Sequence, residues 1–236
     1  FAYIDQNCLK KGEYKSSYWG DLLKKNIINN SCFAHIFFPS KKISYSKSIK
    51  LLKKVNCHDS NKHFFVEEFF SLKIFFKIIF HWIMNIYRYT KNKDFIQMEF
   101  EKKNISTGFL FCEKLEEEFY GISSLISFYY FFLFKEINLT FKNLSKTFYL
   151  YENQGWEKSF IYNLKKNNLN KIYAVQNSTV RFWDLRFSVN NYKISNLVNQ
   201  LEPNFYLVNG NDSFEKFIEN GYPIKKIRQV EAIRYF

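Results

Sequence analysis

TFYLYENQGWEKSFIYNLKKNNLNKIYAVQNST, residues 147–179, decides the fold. TFYLY at 147–151 is a run of β-branched and aromatic residues, the composition of a strand. Glu152-Asn153-Gln154-Gly155 has the chemistry of a turn. Residues 156–166 place Phe160, Ile161 and Leu164 at helical spacing, which predicts an amphipathic helix. KIYAV at 171–175 is a second strand and runs into Gln176-Asn177-Ser178-Thr179. NFYLVNG at 204–210 reads as a third strand, and 213–220 as a helix with Gly221 as its stop and Pro223 beyond it. KIRQVEAIRYF, from 226, opens one more strand. Strands alternating with helices predict βαβ units and a three-layer α/β domain with a mostly parallel sheet.

The half before residue 147 is more apolar and less regular. FAYIDQN at the start reads as a strand, 18–28 as a helix and CFAHIFF (32–38) as a buried strand stopped by Pro39; these fit the same sheet. Residues 44–55 form a basic amphipathic helix with Ile49, Leu52 and Val55 inward. Residues 64–90 and 110–135 read as long apolar helices, the second broken near Gly121, with a polar connection over 91–108. On the first long helix Lys73, Lys77 and His81 recur every fourth residue as a polar stripe. That pattern predicts Phe70, Ile74 and Ile78 buried and the two lysines exposed. The greasiest part of the second, 122–134, is too short to span a bilayer.

The composition is globular: 47% hydrophobic, 24% charged, with only three Pro and seven Gly in 236 residues, which excludes collagen-like and linker-dominated chains. Aromatic residues reach 21%, and only five of the 35 basic residues are Arg. An AT-rich coding sequence favours Phe, Ile, Lys and Asn together, which accounts for part of both excesses. The net charge of +13 favours anionic partners, although the lysines come in scattered pairs and no block reaches five. Cys8, Cys32, Cys57 and Cys112 form no CxxC, and the histidines form no HExxH, so no metal is expected. Reduced thiols suit a cytoplasmic protein. There is no P-loop, no GxGxxG after a strand, no GxSxG and no RNP1-like motif, so a P-loop ATPase, a dinucleotide enzyme of the usual kind, an α/β-hydrolase and an RNA-recognition module are disfavoured. No cofactor is expected.

Parallel strands deliver their carboxyl ends to one edge, where α/β sheets bind ligands. Three strands here end in Glu152-Asn153-Gln154, in Gln176-Asn177-Ser178-Thr179 and in Asn209-Gly210, a cluster of a carboxylate, amides and hydroxyls. Strand ends and helix caps also favour Asn, Ser and Gly for purely structural reasons. Glu152, at a strand end, is the candidate acid–base residue. Glu157 falls in the first turn of the following helix, where the helix dipole favours a carboxylate. Asp184 with Arg181 and Arg186 forms a charged group around Trp183.

YLYENQGWEKSFIYNLKK (149–166) followed by VQNSTVRFWDLRF (175–187) resembles a group of bacterial surface-carbohydrate biosynthesis proteins that look like GT-B glycosyltransferases, distant relatives of transferases that move Kdo or sialic-acid-like sugars from CMP donors. Glu152, Asn153, Gln154, Trp156 and Glu157 match an ENQ-W-E motif. Ser178, Thr179, Arg181, Phe182, Trp183, Asp184 and Arg186 match an HST-RFWDLRY-like motif, in which Asn177 replaces the expected His and Phe187 the Tyr. YWGDLLKK (18–25) and 205–236 are similar to the same group, whereas 57–146 match only in apolar helical character. The resemblance implies a single Rossmann-like domain over 1–236, the acceptor-side, N-terminal half of a GT-B architecture, with 203–236 leading toward a second, nucleotide-binding domain. It implies a cytoplasmic transferase that is active only at full length and acts with a nucleotide-sugar donor and a glycan or glycolipid acceptor. The inner face of the cell membrane is a candidate anionic surface for it. On this reading Glu152 is catalytic, and Asn153, Gln154, Trp156, Glu157, Gln176, Asn177, Ser178, Thr179, Arg181, Asp184 and Asn209 bind substrate. The alternative is a non-catalytic module for acidic glycan or a membrane surface. Nucleic-acid binding, suggested by charge alone, is not expected.

Overall fold

The computed structural model describes residues 9–10, 13–14, 16, 19, 31–37, 44–59, 61–102, 108–166, 171–177, 179, 187 and 200–231. The strand expected over the first seven residues lies outside them, as does nearly all of the helix expected over 18–28. Two short strands, β1 (Leu9–Lys10) and β2 (Glu13–Tyr14), pair antiparallel. β3 (Cys32–His35) and β4 (Lys62–Phe65) are parallel, joined through helix α1 (Tyr45–His58). Then come three helices, α2 (Leu72–Lys102), α3 (Gly108–Tyr120) and α4 (Ile122–Thr140). The chain closes with β5 (Lys146–Tyr151), α5 (Gly155–Lys165), β6 (Lys171–Gln176), β7 (Phe205–Asn209), α6 (Gly210–Glu219) and β8 (Ile227–Val230).

The α/β character expected from 147–179 is present. β5, β6, β7 and β8 form one parallel sheet in sequential order. Right-handed crossovers in a sheet that grows in one direction put the connecting helices on one face. Side-chain alternation along the strands agrees. Tyr149, Tyr151, Ile172, Ala174, Tyr206, Val208 and Ile227 are all buried on that face, under Phe160 of α5 and Phe217 of α6. The opposite face carries Phe148, Tyr173 and Phe205 as a stacked row, with the Arg228 guanidinium over the Phe205 ring. Its rings are only partly covered: Phe148 is 42% exposed.

α4 packs on α5 and is the centre of the main core, burying Phe132, Leu133, Phe134 and Ile137. The expected break near Gly121 separates α3 from α4. A Cβ there would lie 2.4 Å from the Glu117 carbonyl oxygen, so only glycine lets the chain turn so tightly. α2 and α3 form a hairpin closed by Tyr89 stacked on Phe119 and by the Lys93–Glu116 ion pair.

The structure corrects the sequence reading in five places. HFF lies in a strand, so the segment expected to be helical from 64 starts as β4 and a short 3-10 turn, Val66–Phe69, before α2 begins at Leu72. α2 continues to Lys102, into residues expected as a polar connection. Among the described residues β3 pairs only with β4, in a two-stranded sheet, and is not hydrogen-bonded into the larger one. Ile74 and Ile78 are buried and Lys73 is exposed as expected, but Lys77 is half-buried, its ammonium 5.9 Å from the Phe132 ring. Phe70 is exposed, because it precedes α2 and does not share its period.

Core and surface phenylalanines therefore separate cleanly. Phe134 is fully buried, edge-on to Phe160 at 5.2 Å, whereas Phe76 on α2 is 67% exposed. Phe134→Ala is expected to cost about 3–5 kcal/mol in urea unfolding, and Phe76→Ser no more than about 0.5 kcal/mol. Equal effects would mean that α4 is not the centre of the core.

Candidate functional site

The turn between β5 and α5 is built around Glu157. Gln154 is the N-cap of α5, which puts Glu157 three residues into the helix. Its side chain reaches back, and its two oxygens accept the backbone N–H groups of Glu152 (2.9 Å) and Asn153 (3.1 Å). A residue at this helical position commonly satisfies backbone donors ahead of the cap. Asn153 takes a left-handed conformation (φ 54°), as Asn tolerates more readily than most residues. Glu157 is fully buried. Burial pushes its carboxyl up to about 7, opposed by those N–H groups and by Lys158.

With the turn fixed, Glu152 points along the carboxyl edge of the sheet. One of its oxygens accepts the Gln154 amide N–H (2.7 Å), and the other accepts the Asn177 amide N–H (3.1 Å) from the end of β6. The Trp156 indole N–H donates to the Gln154 carbonyl oxygen (2.9 Å). Four predicted site residues thus form one chain, Trp156–Gln154–Glu152–Asn177, with the Glu152 carboxylate half-buried within it. A carboxylate has about four acceptor positions, so two amide donors leave room for a ligand hydroxyl.

Gln176 and Asn209 meet one strand further along. The buried Gln176 accepts the Asn209 backbone N–H (2.8 Å) through its side-chain oxygen and donates to Ser213 Oγ (3.0 Å) on α6, while the Asn209 amide donates to the Gln176 carbonyl (3.3 Å). These bonds tie β6 to β7 where the sheet ends. Thr179 is exposed. Ser178, Arg181 and Asp184 lie outside the described residues. The strand ends expected to share one edge do so, because β5, β6 and β7 run parallel in register.

Two polar groups at the smaller sheet had escaped the sequence reading. Glu67 follows β4 and accepts the Phe37 backbone N–H at 3.1 Å through one oxygen; the other is buried with no hydrogen-bond partner among the described residues. Burial pushes its carboxyl up to about 7, against the N–H groups it accepts. The adjacent pair Glu67-Glu68 gives no sign of which turns inward. His35 and His63 bond ring to ring (Nε2···Nδ1, 3.0 Å), and His63 Nε2 lies 3.1 Å from Asp59 Oδ2. Burial holds His63 below its ordinary value, with Asp59 pulling the other way. His58 is exposed at the end of α1. A separate open groove of about 280 Å³, lined by His81, Ser127, Phe128, Phe131, Phe132 and Ser159, lies on the helices.

No family model matches the chain, and neither curated proteins nor solved structures give a significant match.

The buried carboxyls make stability depend on pH. Both Glu67 and Glu157 rise from 4.5 to about 7 on folding. The folded state therefore keeps protons that the unfolded chain releases, and stability falls as pH rises between about 4.5 and 7. Each group contributes on the order of 1–3 kcal/mol to that fall. Glu67→Gln keeps the acceptor for Phe37 and removes the charge. Urea unfolding across this window should show a shallower decline for Glu67→Gln and, near neutrality, stability no lower than wild type. An unchanged slope would mean that Glu67 ionises freely in the folded protein.

Proposed function

We propose that this chain is the acceptor-side half of a GT-B-like glycosyltransferase of surface polysaccharide or glycolipid synthesis, using a nucleotide-activated sugar, with CMP-linked donors first among the candidates. The observation that carries the reading is the half-buried Glu152 carboxylate at the carboxyl edge of a parallel sheet, held between the amides of Gln154 and Asn177. The ENQ-W-E and ST-RFWDLR motifs supply the family-level support.

In this mechanism an acceptor hydroxyl donates to Glu152. The carboxylate takes its proton as the hydroxyl oxygen bonds to the anomeric carbon of the donor, and the bond from that carbon to the phosphate oxygen breaks. The nucleotide leaves with the bonding electrons. Gln154 and Asn177 hold the carboxylate in place as it gains the proton, and Asn153 and Gln154 bond to neighbouring sugar hydroxyls. Glu157 keeps the turn closed beneath them. The resemblance assigns Gln176, Ser178 and Thr179 to the donor phosphate or the acceptor, and the nucleotide to a second domain.

Transfer from a panel of CMP- and UDP-sugars to a lipid-linked acceptor, measured with the full-length protein, tests this. Glu152→Gln preserves shape and hydrogen bonding but removes the base, and turnover should fall about 10²–10⁴-fold with donor affinity little changed. Near-wild-type turnover would remove Glu152 from the chemistry. Absence of transfer from every donor by the intact protein would overturn the transferase reading itself.

A further inference from the structure

α2 carries two opposed apolar faces. One contains Ile74, Ile78 and Tyr89 and is buried in the protein. Directly opposite, Leu72, Phe76, Phe80, Ile83 and Tyr87 follow one another at steps of four, four, three and four, the spacing of a single helical face. These five side chains are 54–76% exposed. Isolated exposed apolar residues are ordinary, but a continuous stripe over four turns marks a contact surface.

The charges around the stripe identify what it contacts. Lys73, Arg88 and Lys91 are exposed along one flank, with Lys77 beside them and half-buried. The molecule as a whole carries +13. The acidic residues near α2 lie off the stripe's length: Glu68 is exposed just before it, Asp94 comes seven residues after Tyr87, and Glu113, Glu116, Glu117 and Glu118 lie on α3, against the far part of α2. A phenylalanine-rich face with cations on its flank is the pattern of a helix lying in a membrane interface, where rings enter the acyl boundary and long basic side chains reach anionic headgroups. Among the described residues, no helix is long and apolar enough to cross a membrane. A second copy of the chain would bring another +13 and another lysine flank to the contact, which disfavours that occupant.

We propose that the Leu72–Phe76–Phe80–Ile83–Tyr87 face of α2 docks on an anionic lipid surface, with α2 parallel to the membrane plane. The docking stands independently of the transferase chemistry, since none of the five side chains belongs to the Glu152 cluster.

Co-flotation of the 236-residue chain with vesicles of phosphatidylglycerol and phosphatidylcholine in equal parts, and of phosphatidylcholine alone, provides the test. Binding is expected to the anionic vesicles and to weaken with added salt. The triple variant Phe76→Ser, Phe80→Ser, Ile83→Ser alters only exposed side chains, and a circular-dichroism melt checks that it remains folded. It should lose binding at least about tenfold. A second variant, Lys73→Gln with Lys91→Gln, keeps the apolar face and should lose about fivefold per charge. Equal binding to neutral vesicles, undiminished binding by the folded triple variant, or no binding to either vesicle would overturn the proposal. Self-association abolished by the triple variant, with no vesicle binding, would assign the face to a second copy instead.

Discussion

The two hydrogen bonds that the buried Glu157 carboxylate accepts from the Glu152 and Asn153 N–H groups are the constraint on which the candidate site depends. A strand that ends and turns at once into a helix leaves backbone donors without partners. Glu157 satisfies two of them from within the first turn of α5, and so fixes the angle at which α5 leaves the sheet. From that angle Phe160 reaches Tyr149 on one side and Phe134 of α4 on the other. The same closure puts the Glu152 side chain outside the turn, where Asn177 of the next strand can donate to it. Core packing and site geometry are thus two results of one local arrangement.

The smaller sheet solves a related problem less completely. Glu67 accepts an N–H across the strand ends, from Phe37, but among the described residues only one of its oxygens is satisfied. Both carboxyls are pushed up to about 7 by burial. For Glu157 the opposing N–H bonds lie in its own turn, so charge and hydrogen bonding compete within a few residues of chain. For Glu67 the orphaned oxygen leaves less to set against desolvation. Neutralising Glu67 therefore costs little structure, whereas removing Glu157 strips the acceptor from two backbone groups.

What the sequence made legible follows from where local signals are unambiguous. Residues 147–176 could be read because alternation, turn chemistry and helical spacing succeed one another at short range. Gly121 could be read because a lone glycine in a long apolar run has few other uses. β4 could not: HFFVEEFF continues into SLKIFF without Pro, Gly or Asn, so a four-residue strand and a 3-10 turn look like the start of the helix. Its pairing with β3 rests on non-local contacts, and on Asn56 of α1, which exchanges hydrogen bonds with the His63 backbone as a neighbouring strand would. At the site, the spacing of Glu152, Asn177, Gln176 and Asn209 at successive strand ends placed them on one edge. Which carboxylate would turn inward was not legible, because Glu152 and Glu157 differ in the backbone donors each can reach and not in residue type.

The aromatic excess separates in the same way. Biased codon usage supplies Phe and Lys without regard to position, so it predicts both types on every free surface. The structure distributes them unevenly. The solvent side of α1 presents Lys47, Lys50, Lys53 and Lys54, while the free side of the first four turns of α2 presents Leu72, Phe76, Phe80, Ile83 and Tyr87. Inside the protein, Tyr151 and Tyr222 use their hydroxyls to bond each other at 2.8 Å within the core, where Phe would fill the same space. Helix propensity does not require the difference between α1 and α2 either, since Lys and Leu are equally good helix formers and Phe a weaker one. An outward face of rings on a solvated helix exposes apolar surface to water with no return from folding. Composition accounts for how many phenylalanines the chain has; it does not account for their alignment opposite the buried face of α2, which the proposed lipid contact would explain.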